Sequence, residues 1–222
     1  MSDKYLFLHF NMMKNILLIV LLFVVGCGTK KDAEISSTTL EQISPEQGIY
    51  SVHIDKSELS WIGKELSTKI HTGSLNISNG IIQVGNDYSI SGNIKINMST
   101  INVTDLQGRS KEMLEKHLRS ADFFEVENYP EAQINFKSKS FNKLVNQISF
   151  EGDLTIKDIT NPISFNATLI ESSPYLKANA ILSFDRSKYN VRFRSGSFFE
   201  NLGDKLIFDN IDINIKLVTK KQ

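Results

Sequence analysis

Cysteine is almost absent. The 222-residue chain carries a single one, Cys27, so neither an intramolecular disulfide nor a Cys-rich zinc site can hold the fold, and burial of an apolar core must do so. Charge of one sign is lacking too: 25 Lys and Arg balance 25 Asp and Glu, which removes the electrostatic footprint of a nucleic-acid binder. Four prolines and twelve glycines are too few for a fibrous or low-complexity chain. There is no nucleophile elbow, no paired-His helix motif and no phosphate-cradling glycine loop, so no catalytic or metal-ligating set is assigned and no cofactor is implied. A transmembrane helix needs about twenty apolar residues. The longest uninterrupted run here, Ile16 to Val25, has ten.

That run has a use of its own. It follows Lys14 and Asn15 and ends at Gly26-Cys27, which is the shape of an export signal. The tetrapeptide Val24-Val25-Gly26-Cys27 resembles the bacterial lipobox, and Cys27 is then the expected lipid attachment point. Met13 is a more usual start than Met1. Removal of residues 1–26 takes away Lys4, Lys14 and Asp3 and leaves the mature chain one acidic residue in excess. Gly28 to Gln47 is polar and free of aromatics, too poor in apolar side chains to order itself, and reads as a flexible tether. The expected division is therefore signal 1–26, lipidated Cys27 with a tether to residue 47, and one folded domain over 48–220.

Within that domain the dominant signal is period two, which gives each segment one buried and one solvated face. Tyr50, Val52 and Ile54 alternate with polar residues, as do Ile90, Ile94, Ile96 and Met98, with Gly92 in the apolar set as a point of close approach. The same holds for Ala132, Ile134 and Phe136; Ile148, Phe150, Leu154 and Ile156; Ile163, Phe165, Ala167 and Leu169; Leu176 to Phe184; and Ile211 to Leu217. Ser78-Asn79-Gly80, Gly85-Asn86-Asp87 and Ser172-Ser173-Pro174 read as turns. One stretch, Ser110 to Ser120, has helical spacing instead: Met113, Leu114, His117 and Leu118 share a side, Glu112 and Lys116 form an i,i+4 pair, and Ser110 is a reasonable N-cap, with Asp105 as an earlier start.

About eight one-faced strands in hairpin order close as an antiparallel barrel or pack as a sandwich, and runs such as Tyr88 to Thr100 are long for a sandwich. An outer-membrane barrel is disfavoured. Its strands would be bracketed by aromatic girdles, whereas the phenylalanines here lie in strand middles and Lys, Asn and Ser occupy the outer face.

Three stretches resemble the YceI-like, or polyisoprenoid-binding, family: Tyr50 to Ile82 with its His-x-Gly-x-Leu segment; His117 to Ser138, "HLRSADFFEVENYPEAQINFKS"; and Gly152 to Phe165, "GDLTIKDITNPISF". The Gly expected in the last hairpin is Asp158 here, which a type I turn would accept. Phe184 to Leu217 looks like a branch with an insertion. The resemblance implies an all-β fold, an eight-stranded antiparallel, lipocalin-like barrel with one short helix, enclosing an apolar cavity for a long isoprenoid such as a quinone or polyprenyl lipid.

On that reading the chain is an envelope lipoprotein that binds or carries such a lipid, held to a membrane, the outer one favoured, with its domain in the periplasm. Candidate lining residues are Trp61, Phe124, Tyr129, Phe136, Phe150, Phe165, Phe184 and the small inward residues Ala178 and Ala180. Each aromatic has an equally good reading as plain core. Arg192 and Arg194 are candidates for a head group at the mouth, against ordinary solvated charges. The mature histidines His53, His71 and His117 have no carboxylate or second His at ligand spacing; His71 reads better as a hydrogen-bonded core histidine than as a ligand or base, and a cofactor-free lipid-modifying enzyme using His71 or His117 ranks last. A different class of function stays open: an envelope stress or adhesion module whose barrel is fully packed and which works through its outer surface. A homodimer through an edge strand or the helix also stays open.

Overall fold

Alternation becomes strands throughout the described part of the chain. The computed structural model describes residues 42–222, so the expected export signal, Cys27 and most of the expected tether lie outside the described residues. The strands are β1 (Gly48–Val52), β2 (Glu58–Lys64), β3 (Ile70–Val84), β4 (Ile90–Val103), β5 (Glu131–Asn142), β6 (Gln147–Ile156), β7 (Ile159–Glu171), β8 (Tyr175–Asp185) and β9 (Asn210–Lys221), with helix α1 (Gly108–Arg119) between β4 and β5. All pairings are antiparallel, and β3 with β4 closes the sheet into an eight-stranded barrel.

Nine segments fill eight places because β1 and β2 are halves of one interrupted strand. Both lie between β3 and β9. The β1 half pairs with Ile81–Val84 and Thr219–Lys221, and the β2 half with Ile70–Leu75 and Asp212–Lys216. A single 3-10 turn, Ile54–Lys56, makes the break, and the Ser57 hydroxyl patches it by donating to the carbonyl of His53 at 3.0 Å and accepting from the Val218 N–H at 3.1 Å. The same turn swings Ile54 out of the inward series, leaving it 43% exposed.

The inward faces are otherwise those expected. Ile90, Ile94, Ile96, Met98, Ile148, Leu154, Leu169, Leu182 and Ile213 are all buried in one core. Gly92 is the close approach it promised: a Cβ there would lie 2.6 Å from Cζ of Phe136, directly opposite on β5. Two turn readings are corrected. Ser78-Asn79-Gly80 is not a turn but the middle of β3, where a register shift between Ile77 and Asn79 absorbs the bend and Gly80 makes room for Val52. The β6–β7 hairpin is not type I: Lys157 (φ 52°) and Asp158 (φ 58°) are both left-handed and join the paired Ile156 and Ile159, which is the type I′ geometry that suits twisted strands.

The tether also meets the barrel sooner than composition suggests. Ile43 packs on the core while its N–H donates to Oδ1 of Asn146 at 2.9 Å, and Pro45 is buried. The chain thus enters at the barrel end that carries the β3–β4, β5–β6 and β7–β8 turns. The opposite end, carrying the β2–β3 and β6–β7 turns, is covered by α1 and by the segment between β8 and β9.

Helix α1 begins at Gly108, in a left-handed conformation, and not at Ser110. Leu118 is buried and Leu114 packs on the core, but Met113 is 62% exposed. Its ion pairs are Lys111–Glu115 and Glu115–Arg119, not Glu112–Lys116, because Glu115 turns inward to accept the Val103 N–H at 2.9 Å and Arg119 donates to the Ile101 carbonyl. Those bonds lash the helix to β4.

Candidate functional site

The barrel is not filled. Its interior holds a cavity of about 150 Å³ toward the helix-covered end and a second of about 60 Å³ toward the end where the chain enters, both walled almost wholly by carbon. Ile134, Leu182 and Ile215 line both, so the two are neighbouring chambers with those three side chains between them.

Of the expected lining residues, Trp61, Phe124 and Phe184 border the larger cavity, and Phe136, Phe150, Phe165, Ala178 and Ala180 the smaller. The aromatics prove to be lining and core at once. Phe150 stacks on Phe165 at 5.1 Å, and Phe136 stands edge-on to both at 5.3 and 5.7 Å. This cluster fills one side of the smaller cavity, and the alanines keep the other side open. Trp61 lies against Gly73, its register partner, where a Cβ would come within 2.3 Å of the indole. Tyr129 borders neither cavity: it sits half-buried in the turn before β5, with its N–H on the carbonyl of Glu125 at 3.0 Å.

Arg192 and Arg194 stand outside the channel in an open cleft with Lys157, Phe193 and Phe199. Arg192 is exposed and lies over the Phe198 ring at 4.9 Å; Arg194 is half-buried over Phe193 at 5.0 Å. Phe193 in turn meets the His117 ring at 4.3 Å, and His117 lines the larger cavity. Two rings therefore separate the Arg194 charge from the channel.

His117 is clamped on its other side by Phe123 at 5.8 Å, and its Nε2 is buried with no hydrogen-bond partner. Burial pulls its pKa below the ordinary value; Asp122 opposes that and Arg194 reinforces it. Burial thus favours the neutral imidazole over the charged one.

Long-range pairing supplied two groups that local spacing did not reveal. His71 Nδ1 lies 2.8 Å from Oδ2 of Asp105, whose other oxygen accepts the Thr72 N–H at 2.9 Å. Burial would raise the Asp105 carboxyl, but the Thr72 and His71 bonds outweigh it and hold the group below the usual carboxylate range. Arg186 is the other. It is wholly buried, donates to the carbonyls of Val191 (3.0 Å), Ile207 (3.0 Å) and Phe208 (3.3 Å), and lies 3.2 Å from Asp209. It ties down the segment between β8 and β9 that covers this end of the channel. Among the described residues no group of three His, Cys, Asp or Glu side chains converges as a metal site.

Comparison with known proteins follows the same outline. The profile described as the YceI-like domain matches residues 50–219. Protein YceI of Escherichia coli O157:H7 is 41% identical over 76 residues, 34% of this chain and 38% of that protein. UPF0312 protein plu2095 of Photorhabdus laumondii is 32% identical over 127 residues, 57% of this chain and 64% of the relative. These matches cover less than two thirds of either relative's length. Among solved structures, Burkholderia cenocepacia BcnA superposes with a TM-score of 0.60 at 20% identity, over 75% of this chain and 98% of its own. A polyisoprenoid binding domain from Saccharophagus degradans, implicated in plant cell wall breakdown, gives 0.55 at 11% identity, over 80% and 100%. At those identities the likeness is one of fold.

Proposed function

The chain belongs to the YceI-like family, and from that premise we propose that it binds an isoprenoid or similar long-chain lipid in the barrel channel and carries it within the cell envelope. The observation that carries this reading is the carbon-walled channel itself, with Trp61 and Phe184 in one chamber and the Phe136, Phe150 and Phe165 cluster in the other. A barrel of eight strands has an interior just wide enough to be filled or to hold one small ligand. Each methylene transferred from water into such walls gains about 0.8 kcal/mol, so affinity needs little polar chemistry. The described solved neighbour that binds a polyisoprenoid shares this fold, which supports the choice of ligand.

As they stand, the two chambers take a short stretch of tail each. A long chain threads both only when Ile134, Leu182 and Ile215 give way between them, a rotamer adjustment of aliphatic side chains. We further propose that Cys27 carries the lipid anchor, with the domain in the periplasm and the outer membrane as the site of attachment. No residue is assigned a catalytic role in this reading.

The test is solvent extraction of the protein purified from its envelope, followed by mass spectrometry. Recovery of an isoprenoid in amounts comparable to the protein supports the reading. Absence of any bound lipid, together with no uptake by the delipidated protein, ends it.

A further inference from the structure

We propose that the open cleft beside the covered end of the barrel is a second binding site, for an amphiphile with one negative charge, a phosphodiester or carboxylate joined to an apolar body. The cleft shares no lining residue with either chamber, so the inference stands apart from the lipid-carrier reading. Its volume of about 630 Å³ falls within the ordinary span of small-molecule sites. Three stretches far apart in sequence build it: the turn after α1 with Asp122 and Glu125, the β6–β7 turn with Lys157, and the segment from Asn190 to Leu202. Left-handed backbone is uncommon at non-glycine residues and gathers at binding sites. Four residues that line this cleft have it: Glu125 (φ 52°), Lys157 (φ 52°), Asn190 (φ 57°) and Arg194 (φ 49°).

The charges select the ligand. Lys157 is buried, and its ammonium lies 3.4 Å from Glu125, so those two answer each other. Arg192 donates to the side chain of Asn190 and Arg194 packs on Phe193, and among the described residues neither guanidinium has a carboxylate at ion-pair distance. With Asp122 as the remaining acid, three cations face two carboxylates, and the cleft keeps one positive charge in excess. A monoanion cancels that excess, whereas a dianion overshoots it beside Asp122. A guanidinium held over an aromatic ring is positioned before the ligand arrives, which lowers the ordering cost of binding. Its fork matches two oxygens of a phosphate or carboxylate. Phe199, half exposed, and Leu202 supply the apolar wall for the rest of the ligand.

The probe is diphenyl phosphate, a monoanion with two phenyl groups, against benzhydrol, its uncharged counterpart, with binding read from the amide resonances of Phe199 and Leu202. Diphenyl phosphate is expected to bind about tenfold tighter, the worth of one charge-assisted bond in a part-exposed site, and raised salt should narrow the gap. Arg192→Gln combined with Arg194→Asn, asparagine being at ease in left-handed backbone, should bring the phosphate down to the benzhydrol level. An amide spectrum unchanged away from the cleft shows that this double variant is folded. Asp122→Asn should tighten diphenyl phosphate about twofold. Sedimentation with phosphatidylcholine vesicles, with and without phosphatidylglycerol, identifies the source of the anion. Binding that requires phosphatidylglycerol and fails in the double variant supports the inference with a lipid head group as ligand; tight diphenyl phosphate binding without vesicle binding supports it with a free amphiphile. Equal binding of diphenyl phosphate and benzhydrol overturns the inference, as does a phosphate preference that survives in the double variant.

Discussion

Arg186, Arg192 and Arg194 look alike in the sequence, and the fold gives them three different tasks. Arg192 and Arg194 lie on aromatic faces in an open cleft, while Arg186 is buried among three carbonyls and Asp209. Nothing local marks Arg186 as the buried one, because its partners come from residues up to 23 positions away. Removing one member of a buried pair leaves the other uncompensated and costs about 3–5 kcal/mol. Arg186→Met should lose stability of that order in urea denaturation; a loss under about 1 kcal/mol would show that the segment between β8 and β9 is held by other means. His117 gives a pH dependence. Its folded pKa lies below the ordinary 6.5, through burial first and with Asp122 and Arg194 acting in opposite senses, so the unfolded chain binds the proton more readily. That contribution is fully present above pH 6.5 and is lost as pH falls below it. The carboxylates with lowered pKa, Asp87, Asp105, Glu125 and Asp212, act in the same sense but only near the carboxylate range, around pH 4 and below. The melting temperature should therefore fall between pH 7 and pH 5, and His117→Phe should flatten the fall. An unchanged slope in that variant would place the titration elsewhere.

At the scale of elements, period two was a sound guide wherever a strand has one wet face. From Ile90 to Met98 and from Ile211 to Leu217 the apolar positions are the inward ones. Composition misled where a single residue type has two uses. Ser78-Asn79-Gly80 has the makeup of a turn, but its glycine serves close packing under Val52, and the backbone continues as strand. Met113 has helical spacing but lies beyond the edge of the buried stripe, because Glu115 and Arg119 fix the helix rotation through β4. In the β6–β7 hairpin, Lys157 and Asp158 both occupy the left-handed region that glycine enters without steric cost. Lys157 has a reason to remain, since its buried ammonium lies 3.4 Å from Glu125. Asp158→Gly relieves strain and adds unfolded-state entropy; the first term is the larger for a type I′ turn, and a net gain of about 0.5 kcal/mol is expected in thermal melts. A lower melting temperature would mean that Asp158 is held by something other than the turn's geometry.

For the whole molecule, the barrel, its strand count and its inward faces were legible, because closure follows from many one-faced strands and needs no particular long-range partner. The site was legible only as a class of wall. Trp61, Phe136, Phe150, Phe165, Phe184, Ala178 and Ala180 were recognisable as inward, but their division into two chambers depends on which side chains meet across the barrel, and the unpaired Nε2 of His117 depends on what fails to meet. Tyr129 shows the converse: it is aromatic and close to the lining residues in sequence, yet a turn keeps it outside. The account's central claim is that one channel of two chambers takes one isoprenoid tail, and native mass spectrometry of the delipidated protein with geranylgeraniol tests it most directly. The wild type should give a one-to-one adduct. Ala178→Leu, which fills the smaller chamber at a stability cost of about 1–3 kcal/mol, should lose most of that adduct while still taking up the shorter farnesol. A wild type that forms no adduct, or an Ala178→Leu protein that binds geranylgeraniol as fully as the wild type, would contradict the claim.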